Sequence, residues 1–335
     1  MRVAVTGGAG YIGSVVTDQL IAAGHDVLVI DNLAKGHLDA VSEAAEFAEI
    51  DLIEQDNIAA VLSEFGTEAV VHMAAASLVG ESVVNPAKYY RENVVAGLSL
   101  LDAMRSASVG RIVFSSTAAV YGDPEKQPIE ETDLTTPTNP YGAAKLAFEH
   151  ALGWYGAAYG LASISLRYFN AAGATEARGE RHDPETHLIP LVLEVAAGVR
   201  PELLVFGDDY ATPDGTCVRD YIHVGDLADA HILALSALET PAVAKAYNLG
   251  CGGAGYSVRQ VVDTAARVTG SPIATRVVER RRGDPPVLVA SSRRIEADLR
   301  WRPRHRELAD IMTSAWRWMT VNGNLARVQA SRKPS

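Results

Sequence analysis

Residues 1–14 read MRVAVTGGAGYIGS and decide the fold. The apolar, β-branched run at residues 3–6 predicts a strand, and the glycines after it lead directly into a helical pattern. Gly7, Gly10 and Gly13 suit a tight turn, a close approach of the backbone to a pyrophosphate, and close packing of helix on sheet. The free N–H groups at the start of that helix then face the anion. The stretch therefore predicts a dinucleotide-binding unit.

Outward from this unit, the first half of the chain alternates apolar runs of strand length with amphipathic segments of helical spacing. The predicted strands are residues 3–6, 26–30, 69–74, 111–116 and 162–168, and the predicted helices are 13–23, 53–65 and 86–106. Strands that are apolar on both faces suit a parallel sheet covered by helices on each side, whose ligands lie beyond the carboxyl ends of the strands. We expect functional residues to cluster there.

Composition narrows the classes of function. The chain has 335 residues, of which 48% are hydrophobic, and 30 Lys and Arg against 41 Asp and Glu give a net charge of −11, which disfavours nucleic acid as a partner. Cys217 and Cys251 lack the spacing of a metal site or a disulfide scaffold. The sequence shows no apolar run of about 18 residues and no leader pattern. We therefore expect a cytoplasmic protein with no membrane partner and no metal site.

An acidic residue indicates the type of dinucleotide. Asp31 ends the second predicted strand about 20 residues beyond the glycine turn, where a carboxylate accepts both ribose hydroxyls of NAD and repels a 2′-phosphate. We therefore expect NAD rather than NADP. Lys35 partly offsets that repulsion if it lies close, although a lone surface lysine is more often solvated. Asp51 suits either contact with the adenine edge or the capping of a loop.

Residues 139–145, NPYGAAK, set Tyr141 and Lys145 four apart on one face of a predicted helix. A phenol ionises with an ordinary pKa of about 10, and a cation nearby favours phenolate. We expect Lys145, together with the positive nicotinamide of NAD⁺, to lower the tyrosine pKa into a range useful for acid–base catalysis. Residues 114–122, FSSTAAVYG, run from a strand into hydroxyls that suit either substrate binding or turn formation.

These segments resemble the extended short-chain dehydrogenase/reductase superfamily over nearly the whole chain, and within it the nucleotide-sugar epimerases. Further supporting motifs are DNL from residue 31, VGES from 79, YYRENV from 89, FSSTAAVYGD from 114, LRYFNAAGA from 166, FGDDY from 206 and GTCVRDYIHVGDLADAH from 215. The resemblance implies an α/β fold with a doubly wound parallel sheet of the Rossmann type and a smaller C-terminal α/β lobe.

The resemblance also implies a reaction, the interconversion of UDP-galactose and UDP-glucose through a transient 4-keto sugar. In such a reaction Tyr141 takes the 4-hydroxyl proton while C4 passes hydride to bound NAD⁺, and the ketone then receives hydride on its opposite face. Thr117 corresponds to the hydroxyl residue that bonds O4, and Lys145 to the lysine that holds the ribose and tunes the phenol. The resemblance further suggests a homodimer.

Binding residues follow from the same resemblance. The cofactor is expected at Gly7, Gly10, Tyr11, Ile12, Gly13, Asp31, Asn32, Asp51, Leu52, Asn93, Tyr141, Lys145 and Tyr168. The UDP-sugar is expected at Ser77, Thr117, Tyr141, Asn170, Leu188, Phe206, Arg219, Arg281, Asp284 and Leu288. Uracil would lie against the aromatic ring, the diphosphate on the arginines and the ribose on the carboxylate. We expect residues 1–170 to form the NAD-binding domain, its sheet completed by segments near 215–250, and residues 171–335 mostly the UDP-sugar-binding lobe.

Three positions depart from the family pattern. Ser77 stands where some members have a lysine, and His187 stands where the family can have Asn. Leu288 matches a position whose bulk limits the space around the sugar C2 substituent, and leucine is intermediate in size. We therefore expect a preference for UDP-glucose and UDP-galactose over the N-acetyl pair.

Other functions share much of this pattern. A 4,6-dehydratase needs acid and base groups after the strand-end threonine, and Ala118 and Ala119 cannot move a proton. A 4-epimerase of another UDP-sugar, UDP-glucuronate or UDP-GlcNAc, stays open. A non-catalytic NAD-binding sensor is disfavoured because Thr117, Tyr141 and Lys145 are all present. The ten arginines of residues 276–306 could form a polyanion-binding patch, but the net charge argues against one.

Overall fold

A computed structural model describes residues 1–238, 244–281, 284–321 and 325. The strands are Arg2–Thr6 (β1), Asp26–Asp31 (β2), Glu46–Glu49 (β3), Ala69–His72 (β4), Arg111–Thr117 (β5), Ala162–Tyr168 (β6), Asn170–Ala172 (β7), Leu203–Phe206 (β8), Val218–Arg219 (β9), Tyr221–His223 (β10), Ala244–Leu249 (β11), Tyr256–Ser257 (β12), Thr275–Val278 (β13) and Val287–Leu288 (β14). The helices are Tyr11–Ala22 (α1), Gln55–Phe65 (α2), Val79–Val84 (α3), Pro86–Tyr90 (α4), Ala96–Ser106 (α5), Pro140–Tyr159 (α6), Leu188–Ala196 (α7), Val224–Ala237 (α8), Val258–Thr269 (α9), Arg293–Leu299 (α10) and Leu308–Thr320 (α11). Short 3₁₀ turns cover Leu38–Ala40 and Ala118–Tyr121, and a π-helical turn covers Arg91–Val95.

Seven parallel strands form the central sheet in the order β11-β6-β5-β4-β1-β2-β3. The chain winds outward from β1 in one direction through β2 and β3, and in the other through β4, β5 and β6. The crevice at such a reversal of direction, beyond the carboxyl ends of β1 and β4, is where parallel sheets bind ligands. The predicted doubly wound parallel sheet is thus confirmed.

The two faces of the sheet bury alternate residues of each strand, as the strand period of two requires. Val3 and Val5 of β1 pack with α1 and α8, whereas Ala4 packs on the opposite face with residues of α2, α5 and α6. These side chains are fully buried, and each Val or Leu of this kind contributes roughly 1.5–3 kcal/mol through removal of apolar surface from water. The two packed faces fix the strand ends that carry the site.

Several predicted elements differ from the observed ones. The predicted helix at residues 86–106 is α4, the π-helical turn and α5 in succession, and the predicted strand at 69–74 ends at His72. Of the segments near residues 215–250, β11 joins the central sheet, whereas β10 pairs with β7 outside it and α8 packs on the sheet beside α1. No described helix is long and apolar enough to cross a membrane.

A smaller α/β lobe follows the central sheet. It holds the pairs β10-β7 and β13-β8 and the three-stranded sheet β12-β9-β14, and its core joins α7, α9 and α11. Strand β11 lies at the edge of the central sheet although it follows much of this lobe in sequence. The domain limits given above stay a prediction.

Candidate active site

One cavity of about 1820 Å³ lies beyond the carboxyl ends of the central strands and extends into the smaller lobe. Apart from Asn93, every cofactor and substrate residue expected from the sequence lines it. A cavity with one wall from the dinucleotide crevice and the other from the second lobe suits two ligands lying end to end.

The glycine turn at the head of α1 leaves no room for side chains. Gly7 has a positive φ of 72°, and a Cβ there would lie 2.6 Å from the backbone nitrogen of Ala74. A Cβ at Gly13 would lie 2.1 Å from the carbonyl oxygen of Gly7. The backbone at the N-terminus of α1 is therefore bare toward the cavity, as a bound pyrophosphate requires.

Asp31 is held in place at the end of β2. Its carboxylate accepts hydrogen bonds from the backbone N–H groups of Ala9 (3.0 Å) and Leu33 (2.9 Å), and the residue is 9% exposed. The side chain of Lys35 donates instead to the carbonyl of Asp183, at 2.7 Å. Because Lys35 does not point at this carboxylate, its negative charge is available to accept the two ribose hydroxyls of NAD and to repel a 2′-phosphate.

Asp51 and Asn32 lie beside this carboxylate in the cavity wall. Asp51 accepts hydrogen bonds from Asn32 Nδ2 and from the backbone N–H of Ile53, both at 3.0 Å. Asp51 therefore caps its loop while facing the cavity. Leu52, next to it, is buried and supplies apolar surface.

The acid–base pair stands at the start of α6. Asn139 caps this helix by accepting a hydrogen bond from the backbone N–H of Gly142 (2.9 Å), and Pro140 begins it. Tyr141 is 9% exposed, and Lys145, which is 4% exposed, donates to the carbonyl of Ser115 at 2.9 Å. Both side chains are thus fixed in the cavity wall.

Close packing brings Thr117 next to this pair. A Cβ at Gly142 would lie 2.4 Å from the carbonyl oxygen of Ala119, so the segment leaving β5 touches the first turn of α6. The Thr117 hydroxyl accepts from the backbone N–H of Ala119 at 3.1 Å and forms a hydrogen bond with Tyr141. Two oxygen atoms able to bond one substrate hydroxyl therefore meet there.

Burial governs the ionisation of these groups. It raises the pKa of Tyr141, which the hydrogen bond from Thr117 partly opposes. It also lowers the pKa of Lys145 to about 7, against the opposing influence of Glu149. The chain's own groups therefore do not produce the expected lowering of the Tyr141 pKa, because desolvation outweighs the hydrogen bond from Thr117. The expected lowering also requires the positive nicotinamide.

Asn93 is the one expected ligand that lies outside the cavity wall. Its side-chain amide bonds both backbone groups of Ala76, accepting from the N–H at 2.8 Å and donating to the carbonyl at 2.9 Å. The residue is buried within the π-helical turn. Asn93 therefore fixes the loop after β4, which lines the cavity, and this contact could not be predicted from the sequence.

The smaller lobe supplies the polar wall expected for UDP. Arg219 forms an ion pair with Asp284, and the Arg281 guanidinium lies 4.0 Å from the centre of the Phe206 ring. Asn170 donates to the carbonyl of Asp220 at 2.9 Å. Tyr168, Leu188, Leu288 and the exposed Ser77 complete the lining. Burial raises the pKa of Tyr168.

The sequence did not predict the buried ion pair that lies behind the site. Arg167 donates to both carboxylate oxygens of Glu149, at 3.0 Å and 2.5 Å, and the two side chains are 9% and 8% exposed. Ser116 and Tyr121 also bond this pair. Glu149 lies one turn after Lys145, a spacing of four that could have indicated the contact.

The sequence also did not predict that one segment of the smaller lobe contacts the dinucleotide-binding half of the chain. Residues 173–187, here called the crossing segment, connect β7 to α7 and run across the cofactor half of the cavity. The hydroxyl of Tyr11 donates to the carbonyl of Gly173 at 2.5 Å. Arg178 and Arg181 pair with Asp18 and Asp39. These contacts join residues more than a hundred positions apart, so no local sequence pattern predicts them.

Comparison with known proteins agrees with this geometry. Residues 3–250 match the model of the NAD dependent epimerase/dehydratase family. Because that match covers most of the chain, the chain belongs to this family.

Three similar proteins illustrate the match. The chain is 52% identical over 333 residues to the UDP-glucose 4-epimerase of Corynebacterium glutamicum, covering 99% of each chain. It is also similar to a crystal structure of UDP-glucose 4-epimerase, with a TM-score of 0.93, 47% identity and coverage of 97% and 99%. A UDP-glucose 4-epimerase from Brucella ovis in complex with NAD matches with a TM-score of 0.91 and 45% identity, covering 95% of this chain and 98% of that one.

Proposed function

We propose that this chain interconverts UDP-galactose and UDP-glucose with NAD as its bound cofactor. The observation that carries the proposal is the convergence of Thr117, Tyr141 and Lys145 in one cavity, between the Asp31 crevice and the Arg219–Asp284 pair. The relatives named UDP-glucose 4-epimerase, which match over nearly the full chain, support it.

The cofactor half is suited to NAD by its residues. The bare turn of Gly7, Gly10 and Gly13 holds the pyrophosphate, and Asp31 accepts the ribose hydroxyls. NAD bound there would supply the acceptor for hydride from the sugar C4 and the donor for its return, so the net redox change would be zero. Lys145 would hold the nicotinamide ribose.

Proton transfer falls to Tyr141. Its hydroxyl, as phenolate, takes the proton of the sugar 4-hydroxyl and later gives it back, while Thr117 holds the sugar O4 by a hydrogen bond. Both residues are nearly buried, so the surrounding wall excludes water from the transient ketone. Between the two half-reactions the 4-keto sugar rotates within the site, so that its opposite face receives the hydride.

The smaller lobe holds UDP while the sugar turns. Arg219 and Arg281 suit the diphosphate through their planar donor groups, Asp284 suits the uridine ribose and Phe206 the uracil. Arg281 lies on the Phe206 ring, so uracil stacking there requires the guanidinium to move toward the diphosphate.

We further propose a cytoplasmic homodimer. Exposed apolar side chains lie along α3, the π-helical turn and α6, among them Val84 (81% exposed), Val95 (50%) and Trp154 (75%). A helical surface with such side chains is suited to pairing with a second copy.

Incubation of the purified chain with UDP-galactose and no added cofactor tests the function. NMR of the products is expected to show UDP-glucose approaching equilibrium with its substrate. A panel containing UDP-GlcNAc and UDP-glucuronate identifies an epimerase of another sugar. A stable keto sugar, or bound NAD without turnover of any member of the panel, would refute the proposal and favour an NAD-binding sensor.

A further inference from the structure

The crossing segment gathers two glutamates and two histidines at one point of the cavity wall. Glu180, His182, Glu185 and His187 each offer one donor atom, and the four atoms lie within 4.8 Å of one another. His182 Nδ1 and His187 Nδ1 lie 2.8 Å and 2.6 Å from Glu180 Oε1, and His187 Nδ1 lies 3.2 Å from Glu185 Oε1. The acid–base chemistry proposed above uses none of these groups.

Burial makes this arrangement unusual. The side chains of Glu180 and Glu185 are only 7% and 2% exposed, and a buried carboxylate needs a positive partner. Each carboxylate faces imidazole nitrogen: Glu180 lies beside His182 and His187, and Glu185 lies beside His187. A cation held among these four side chains would supply the positive charge that the buried carboxylates need.

Neighbouring cations are directed elsewhere. The ammonium of Lys35 donates to the carbonyl of Asp183, and the guanidinium of Arg181 bonds the carboxylate of Asp39 at 2.6 Å and 2.9 Å. Among the described residues, only His182 and His187 form ion pairs with the Glu180 carboxylate, so a bound cation would displace no lysine or arginine there.

We propose that Glu180, His182, Glu185 and His187 bind a divalent first-row transition-metal ion of the Zn²⁺ class. Two imidazole nitrogens and two carboxylate oxygens are Zn²⁺ ligands, and bond lengths of about 2.0–2.1 Å place tetrahedral ligands roughly 3.3 Å apart. Three of the donor separations are 2.6–3.2 Å and need to widen by a few tenths of an ångström, while the others, all within 4.8 Å, need to close toward that value. Imidazole ligands disfavour Mg²⁺ and Ca²⁺, which prefer oxygen.

The position of the cluster gives such an ion a structural effect. His182 lies edge-on to Tyr11, with ring centres 6.2 Å apart, and Tyr11 itself begins α1 and bonds the backbone at Gly173. An ion bound by these four ligands would hold the crossing segment in place beside the glycine turn at the start of α1. The site is independent of the proposed epimerase reaction, because no step of that reaction passes through it.

Equilibrium dialysis of the untagged, chelator-treated full chain against Zn²⁺ tests the proposal. We expect one equivalent to bind, and the double variant H182Q/H187Q to bind it at least about 100-fold more weakly. Co²⁺ added in place of Zn²⁺ is expected to give the intense visible absorption of a tetrahedral site in the parent chain only. The variant E185Q, which keeps both histidines, serves as a second test if the double variant does not fold.

The matched control is H150Q, which removes an exposed histidine of α6 far along the sequence from the cluster. It is expected to bind Zn²⁺ as the parent does. Equal Zn²⁺ binding by the parent and the folded double variant would overturn the proposal, as would competition by Mg²⁺ or Ca²⁺ at equal concentration. Binding to the cluster without epimerase activity would refute the proposed function and leave the metal site standing.

Discussion

Glu149 and Arg167 form a buried ion pair one helical turn beyond Lys145, with Arg167 Nη2 2.5 Å from Glu149 Oε2. The carboxylate lies behind the site and raises the pKa of Lys145 against the effect of burial. Glu149 is thus a positioning residue that keeps Lys145 protonated close to neutral pH.

Replacing Glu149 with Gln is expected to lower the pKa of Lys145 further below its value of about 7. Because the lysine charge assists ionisation of Tyr141, the loss of kcat at high pH should begin at lower pH than in the parent chain. The variant should also lose about 3–5 kcal/mol of stability, since Arg167 is left buried and unpaired. Measurements of kcat against pH and of urea unfolding check the two effects.

Ser116→Ala is the matched control, since it removes a hydrogen bond to Glu149 and keeps both charges. Its pH profile should match that of the parent chain. A profile unchanged in Glu149→Gln would show that the carboxylate serves packing alone.

Replacing Tyr141 with Phe is expected to reduce kcat at least roughly a hundredfold, because the phenol moves the proton of the 4-hydroxyl. The cofactor should stay bound, since the glycine turn and Asp31 are untouched. NMR rate measurements and the content of released NAD check these results. Tyr159→Phe, at the exposed end of the same helix, should keep normal activity. Near-normal turnover in Tyr141→Phe would exclude this residue as the base.

Shortening Leu288 is expected to change the sugar preference. Leu288 packs against Val120 and Tyr121 and lines the cavity. Leu288→Ala should raise kcat/KM for the N-acetyl pair relative to UDP-galactose by about tenfold, within the range of a few methylene groups in a pocket. Val277→Ala, a change at an exposed strand position, is the control. An unchanged ratio of the two specificity constants would place the selecting contact elsewhere.

His72 is expected to make the fold sensitive to acid. Burial, with Lys145 nearby, lowers its pKa from 6.5 to about 3, so the folded state holds this imidazole neutral. The stabilisation is fully present above pH 6.5 and is lost as the pH falls through that value toward 3, by on the order of 4 kcal/mol. Urea unfolding between pH 7 and pH 4 measures the slope.

The variant His72→Asn should be less stable at pH 7, since it loses the ring contacts with Phe114 and Phe148. Its stability should fall less steeply with acid than that of the parent. His150→Gln serves as the exposed control. A slope unaffected in His72→Asn would mean that other groups set the acid sensitivity.

The features that the sequence could predict depend on residues close together in the chain. Gly7, Gly13 and Asp31 act within one strand–turn–helix unit, so their spacing alone indicates their use. Tyr141 and Lys145 share a helical face for the same reason. In contrast, the fit of Gly142 against Ala119 and the pairing of Glu149 with Arg167 depend on how β5, α6 and β6 pack.

The direction of the Tyr141 pKa shift also could not be predicted from the sequence. Spacing indicates that a cation lies near the phenol, but the cost of desolvation depends on how deeply the two groups are buried. The hydrogen bonds of Asn93 with Ala76 were not predicted for a similar reason, since a helical position does not reveal which loop the amide bonds.

The space at Gly142 limits how this active site can be altered. Only a hydrogen atom fits between that Cα and the carbonyl of Ala119, so the threonine and the phenol cannot be moved apart or reoriented independently. An engineer who enlarges the sugar pocket has freedom at Leu288, which the smaller lobe contributes, and none in the first turn of α6. New substrates must therefore be brought to a fixed proton-transfer pair, and their fit adjusted entirely from the other lobe.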